Sequence, residues 1–219
     1  MKKSILYIIT ALFFFSCANG QSSQEDNTIA KLPAVKAGQA LATFGGGCFW
    51  ATAEAMSELK GVDKVLAGYA GGTTKNPTYE EVCTETTGHA EVVQVYYDPK
   101  VISYETLTTA FFNAHDPTQL NRQGPDEGTS YRSIAFYRTP EEKATLQKII
   151  NEVNASKHYN GKVITQVVPF KVFYAAENYH QGYMKLHMDR TYIRSVSLPK
   201  VEKMRKAMKA YLKPEFAKM

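Results

Sequence analysis

A short apolar stretch, Leu41-Ala42-Thr43-Phe44, runs straight into Gly45-Gly46-Gly47, and from there into Ala51 to Leu59, a run of good helix formers. A strand handed to a helix through glycines commits this part of the chain to a sheet with helices packed on it. The glycines allow unusual backbone angles and the close approach of another group. Cys48, Phe49 and Trp50, the last being the only tryptophan, fill the junction. A cysteine there sits at the start of a helix, where unpaired N–H groups and the macrodipole favour an anion. A thiol so placed is expected to ionise easily and to act as a nucleophile. The alternative is a small apolar cysteine buried at a tight turn, and the heptapeptide alone leaves both open.

The rest of the chain continues the alternation. Val62 to Tyr69 is rich in β-branched and apolar residues and is stopped by Ala70-Gly71-Gly72-Thr73, which reads as a strand. Thr78 to Cys83 reads as a short helical turn. His89 to Asp98 is the clearest strand, with Glu91, Val93, Val95 and Tyr97 on one face and Val92, Gln94 and Tyr96 on the other. Either face could be the core. Ser103 caps an amphipathic helix over 104–114, and Thr139-Pro140 opens another over 140–156. Further strands are expected over 131–137 and 163–168, with a short extended piece over 171–175. Helices are expected over 177–188 and, basic and exposed, over 200–212. Between the helix ending at Ala114 and the strand at Tyr131 lies a polar loop, His115 to Ser130. A loop of that length inside a compact domain points to function. The fold class expected is α+β: a two-layer α/β sandwich with a ferredoxin-like core and a mostly antiparallel or mixed sheet covered by helices.

The amino terminus has a different character. Met1-Lys2-Lys3 and the apolar run Ile5 to Phe15 form a basic and a hydrophobic region of an export signal. That run is too short to span a bilayer, which takes about 20 residues. Phe14-Phe15-Ser16-Cys17 resembles a bacterial lipoprotein cleavage box, with Phe14 in place of the commoner leucine. The expected organisation is a signal over 1–17 with Cys17 lipidated, a polar disordered tether over 18–39, and one domain over 40–219 with a carboxy-terminal helical extension. The protein is then exported and membrane-anchored through lipid alone, or soluble after ordinary cleavage. Two of the five net positive charges are Lys2 and Lys3, and the remaining +3 is too mild to argue for nucleic acid. Three cysteines at 17, 48 and 83 give no zinc spacing, and no metal is expected.

Several residues could carry chemistry. Cys48 is a candidate nucleophile. Glu91, if its strand face is buried, would hold a proton and donate it. Tyr79 and Tyr131 could offer hydroxyls, and Phe49 and Trp50 an apolar wall, although each of these is also an ordinary core or surface residue when taken alone. Taken together they are more specific. Gly-Cys-Phe-Trp at 47–50, Tyr-Ala-Gly-Gly at 69–72, Tyr-Glu-Glu-Val-Cys at 79–83 and Thr-Gly-His-Ala-Glu at 87–91 occur in that order. They are followed by His-Asp-Pro-Thr at 115–118, Asn-Arg-Gln-Gly-Pro-Asp-Glu-Gly at 121–128, Tyr-Arg-Ser at 131–133 and Glu-Asn-Tyr-His-Gln at 177–181. The series strongly resembles the A-type peptide methionine sulfoxide reductases over about residues 41–190.

The resemblance implies reduction of the S epimer of methionine sulfoxide, free or in oxidised proteins. It implies Cys48 as the nucleophile, Glu91 as proton donor, Tyr79 and Tyr131 as hydrogen-bond donors to the sulfoxide oxygen, and Asp126 as an organiser. Phe49 and Trp50 would receive the substrate methyl group, and a Cys48 sulfenic acid would form. Many members resolve that acid with cysteines near the carboxy terminus, and this chain has none after Cys83. The expectation is therefore an external thiol reductant, thioredoxin-like, no cofactor, and a monomer. No fused B-type reductase domain is expected after residue 190. Two other readings compete. A thiol hydrolase or acyltransferase would need His89, His115 or His180 beside Cys48. A non-enzymatic surface lipoprotein would bind ligands through its aromatics.

Overall fold

The structure, a computed structural model, describes residues 26–218. The signal segment, Cys17 and the first part of the expected tether lie outside the described residues. In chain order the elements are β1 (Ala40–Gly45), α1 (Phe49–Ser57), β2 (Val62–Ala70), α2 (Tyr79–Cys83), β3 (Ala90–Tyr97) and α3 (Tyr104–Ala114). They continue with β4 (Arg122–Gln123), β5 (Asp126–Glu127), β6 (Ile134–Tyr137), α4 (Pro140–Ser156), β7 (Gln166–Pro169), β8 (Phe173–Ala175), α5 (Tyr183–Leu186) and α6 (Leu198–Ala207).

The large sheet has the order β7-β6-β1-β3-β2-β8. Its four inner strands, β6-β1-β3-β2, are antiparallel throughout. With α1 connecting β1 to β2 and α3 leading from β3 towards β6, this is the split βαβ arrangement of a ferredoxin-like core. β7 then adds in parallel to β6 and β8 antiparallel to β2, which makes the sheet mixed. The two edges are consecutive in the chain. Pro169 to Phe173 can span at most about 15 Å, whereas six flat strands would hold the edges about 24 Å apart. The sheet therefore curls.

Curling gives two cores. The outer face carries Phe44, Ala67, Tyr69, Val93, Val95 and Ala135 and packs under α1 and α3. Phe44 stacks on Phe111 of α3 with ring centroids 5.0 Å apart. The inner face encloses Leu66, Val92, Tyr96, Ile134, Phe136 and Phe173. Every residue of β3 is buried, so both candidate faces are core. Helix ends follow the capping signals. The Ser103 hydroxyl accepts from Thr106 N–H at 3.0 Å, and Thr78 and Glu81 form a reciprocal capping box on α2.

Three local expectations change. The helix expected over 177–188 is a 3₁₀ turn, Asn178–His180, then the single helical turn α5, separated by Gly182 in a left-handed conformation. The basic carboxy-terminal helix is not simply solvated. A π turn, Ile193–Ser197, runs into α6, which buries Val201 and Met204 against α1 and α3. Finally, the part of the expected tether that is described lies on the domain. Ile29 bridges Glu177, Ala30 N–H donates to the Ala176 carbonyl at 3.1 Å, and Asn178 N–H donates to the Thr28 carbonyl at 2.8 Å. The residues after β8 offer open backbone groups, and 26–30 pair with them.

Candidate active site

The glycine turn places Cys48. A side chain at Gly45 would press within 2.7 Å of the Glu91 carbonyl oxygen, so its absence lets β1 and β3 run close there. Gly47 has φ +83° and lies against the Gln123 side chain, and its N–H donates to the Tyr131 carbonyl at 3.2 Å. Cys48 then stands as the residue capping α1. It is only 7% exposed.

Glu91 reaches it from β3. Its Oε2 accepts from Phe49 N–H at 3.0 Å, and the carboxyl also lies within hydrogen-bonding reach of the Cys48 thiol. Burial pushes this carboxyl up to about 8 despite the Phe49 N–H, with Asp126 adding to the rise. At neutral pH Glu91 therefore carries a proton it can give. Tyr79, at the start of α2, and Tyr131, in the 3₁₀ turn Thr129–Tyr131, lie near enough to feel the charge of that carboxyl. Burial first, and the Glu91 charge second, raise both hydroxyls, which stay protonated donors.

The thiol corrects one expectation. The helix start alone predicts a low-pKa cysteine. Burial, then the charge of Glu91, push the Cys48 thiol well up, and the Trp50 N–H of the first turn does not offset them. The resting sulfur is protonated, and the acid next to it is protonated too.

The polar loop is built, not loose. β4 and β5 form a two-residue hairpin that pairs Gln123 with Asp126. The Asp126 carboxylate accepts the Tyr192 hydroxyl at 2.8 and 2.7 Å. The Glu85 carboxylate takes Ser130 N–H at 3.0 Å and the Thr129 and Ser130 hydroxyls at 2.5 Å each, which fixes the turn that presents Tyr131.

Phe49 is fully buried and Trp50 half-buried. Trp50 stacks on Tyr183 with centroids 3.9 Å apart and meets Tyr192 edge-on. Its indole N–H donates to His180 Nδ1 at 3.1 Å. The Nε2 of His180 must then hold the ring's proton, and burial pulls this imidazole down to about 4, so it is neutral. Glu177 ties this wall to α2, accepting from the Tyr69 hydroxyl at 3.0 Å and Tyr79 N–H at 2.9 Å.

All seven site residues read from the sequence thus converge: Cys48, Glu91, Tyr79, Tyr131, Asp126, Phe49 and Trp50. Tyr192, Tyr183 and Lys200, which the sequence does not single out, join them, as does His180, which the sequence offers only as a base for the thiol. His180 lies inside the Glu-Asn-Tyr-His-Gln motif, which signals its place in the site, whereas Tyr192 carries no local signal. No histidine serves the thiol. His115 bonds the Phe111 carbonyl and Ser133, and His89 bonds Gly72 N–H and the Thr74 carbonyl, while His180 takes the Trp50 indole. The hydrolase alternative loses its base. Among the described residues no group of three His, Cys, Asp or Glu side chains is placed to hold a metal.

The chain matches the family model described as peptide methionine sulfoxide reductase over residues 40–212. It is 52% identical over 164 residues to peptide methionine sulfoxide reductase MsrA of Haloquadratum walsbyi, covering 75% of this chain and 93% of that one. The MsrA of Thermus thermophilus is 47% identical over 174 residues, 80% of this chain and 98% of its own. Among solved structures, reduced Mxr1 from Saccharomyces cerevisiae is similar with a TM-score of 0.66 and 37% identity, covering 74% of this chain and 92% of its own. Methionine sulfoxide reductase A of Corynebacterium diphtheriae has a TM-score of 0.63 at 33% identity, covering 70% of this chain and 77% of its own.

Proposed function

The chain belongs to the peptide methionine sulfoxide reductase family, and from that premise we propose how its residues divide the work of reducing methionine sulfoxide. The observation that carries the reading is a neutral carboxyl, Glu91, in reach of a buried thiol, Cys48, with two tyrosine hydroxyls close enough to feel its charge. A sulfoxide oxygen leaves sulfur only once protonated, and a carboxylic acid with a pKa near the working pH suits that task.

The substrate methyl group sits against Phe49 and Trp50, where aromatic–sulfur contacts add to apolar burial. Tyr79 and Tyr131 hydrogen-bond the sulfoxide oxygen. The Cys48 sulfur bonds to the substrate sulfur while Glu91 places its proton on the oxygen, and the thiol's own proton replaces it on Glu91. The oxygen then passes to the Cys48 sulfur and methionine leaves with the electron pair. Substrate sulfur is reduced by two electrons, and Cys48 is oxidised by two to the sulfenic acid. The S epimer is the one accepted. Protein-bound methionine sulfoxide is the substrate class, in a repair role.

Incubating reduced protein with methionine (S)-sulfoxide should yield methionine and a trappable Cys48 sulfenic acid. Cys48→Ser should give none, and Glu91→Gln should slow the step by roughly 10²-fold or more while still binding substrate. A near-normal rate in Glu91→Gln removes it as the acid.

With Cys83 outside any cysteine pair, the sulfenic acid is returned to thiol by an external, thioredoxin-like dithiol, with no other cofactor. The Lys2-Lys3 and Phe14 to Cys17 pattern supports export and a lipid anchor on Cys17, the enzyme acting as a monomer on the far side of the membrane. Labelled palmitate should enter the protein and be lost in Cys17→Ser. Equal labelling of both would reject the anchor.

A further inference from the structure

Lys200 stands in the first turn of α6, the helix that the sequence suggested is exposed. Its side chain is only 14% exposed, and its ammonium has no hydrogen-bond partner among the described residues. It lies 3.6 Å from Asp126 Oδ2, too far for a hydrogen bond, and 3.5 Å from where a side chain on Gly47 would begin. A dehydrated cation with three free donors is costly, so its position next to the cysteine turn calls for a role.

Asp126 links it to the reacting sulfur. The carboxylate accepts the Tyr192 hydroxyl at both oxygens. The same hydroxyl lies within hydrogen-bonding reach of the Cys48 sulfur. One hydroxyl carries one proton and cannot donate it to both partners. Whichever group holds more negative charge takes it. A cation on Asp126 weakens that residue's claim.

We infer that Lys200 is a positioning residue for the reduction: its ammonium closes on Asp126 and so frees the Tyr192 hydroxyl to donate its hydrogen bond to the Cys48 sulfur whenever that sulfur is negatively charged. The inference rests on Cys48 being the attacking sulfur. The other titratable groups facing that sulfur are Glu91 from β3 and Tyr131 from the 3₁₀ turn. Those facing Lys200 are Asp126 and His115, with Lys203 also beside His115.

The test follows alkylation of Cys48 by iodoacetamide from pH 6 to 10, read peptide by peptide by mass spectrometry so that Cys83 is counted separately. In Lys200→Met the midpoint should rise by about one unit and the rate at pH 8 fall about tenfold, while Lys200→Arg should stay within about twofold of the parent. In an Asp126→Asn background, adding Lys200→Met should leave the midpoint where it was. Lys200→Gln, still able to hydrogen-bond the carboxylate, is read the same way should the methionine variant not fold. An unchanged midpoint in the single variant, or an equal shift with and without Asp126, overturns the inference. Sulfenic acid formation on the parent protein is measured alongside. Its absence, or its persistence in Cys48→Ser, would sink the site assignment instead, so the two failures are told apart.

Discussion

Glu91 shows what one side chain contributes and what it costs. Placed on β3 under α1, it is 2% exposed and holds its proton to about pH 8, where an unfolded chain gives it up near 4.5. A group whose folded pKa is raised adds stability below the unfolded value and loses it as pH rises through the folded one. Between those two pH values the folded protein should lose on the order of 5 kcal/mol of stability from this carboxyl alone, the shift being worth 1.36 kcal/mol per unit. Glu91→Gln keeps an acceptor for Phe49 N–H without the charge. Its melting temperature should exceed the parent's by about 5 °C or more at pH 9 and match it near pH 4. Parallel melting curves for parent and variant across that range would show that Glu91 is not held neutral. The sequence already placed Glu91 on a face with Val93, Val95 and Tyr97, and the neutral acid follows from that burial. The thiol was harder to read. Helix position argued for an easily ionised Cys48, yet the burial that keeps Glu91 protonated acts on the sulfur as well, and burial depends on what packs above it.

Elements explain why Tyr192 and Lys200 were not legible while Cys48 to Trp50 were. The latter lie on one strand–turn–helix unit whose geometry is local. The former come from the carboxy-terminal segment, and only docking of α6 brings them to the site. That docking has an identifiable anchor. Arg205 Nε and Nη2 donate to the two Glu58 oxygens at 2.7 and 2.6 Å, and Glu58 is fully buried at the end of α1. Lys213 N–H also reaches the Glu58 carbonyl, at 2.8 Å. The periodic pattern of α6 predicted a helix but not its burial, because the lysines dominate its composition while Val201 and Met204 form a narrow stripe. Arg205→Leu should cost about 3–5 kcal/mol in urea unfolding, since it strands a buried carboxylate, and adding Glu58→Leu should recover much of the loss. A cost below about 1 kcal/mol would mark the pair as an ordinary surface contact. Reduced sulfoxide turnover in Arg205→Leu at temperatures where it stays folded would follow from α6 shifting Lys200.

At the scale of the whole molecule, the order of strands was legible as a class and its curl was not. Alternating elements gave a helix-covered mixed sheet, but that β7 and β8 form opposite edges only emerges from pairing. The short Pro169–Phe173 link then forces the roll that buries both faces of β3. The same roll leaves the edge after β8 open, and residues 26–30 take it, so the domain begins before its first strand. The two described cysteines have different surroundings in this frame. Cys48 is buried in the site, whereas Cys83 is exposed at the end of α2, under the Tyr79 hydroxyl, and both are free. If Cys83 stays outside the site, the chain stops after one oxidation until a reductant arrives. With protein lacking residues 1–25, so that Cys48 and Cys83 are the only thiols, one equivalent of methionine should form per chain when no thiol is added. Titration should then show one thiol lost and one retained, the retained one mapping to Cys83. Adding reduced thioredoxin should restore continuous turnover. Loss of both thiols, with a Cys48–Cys83 crosslinked peptide by mass spectrometry, would mean that α2 can deliver its cysteine into the site, and that the protein resolves its own sulfenic acid before any partner acts.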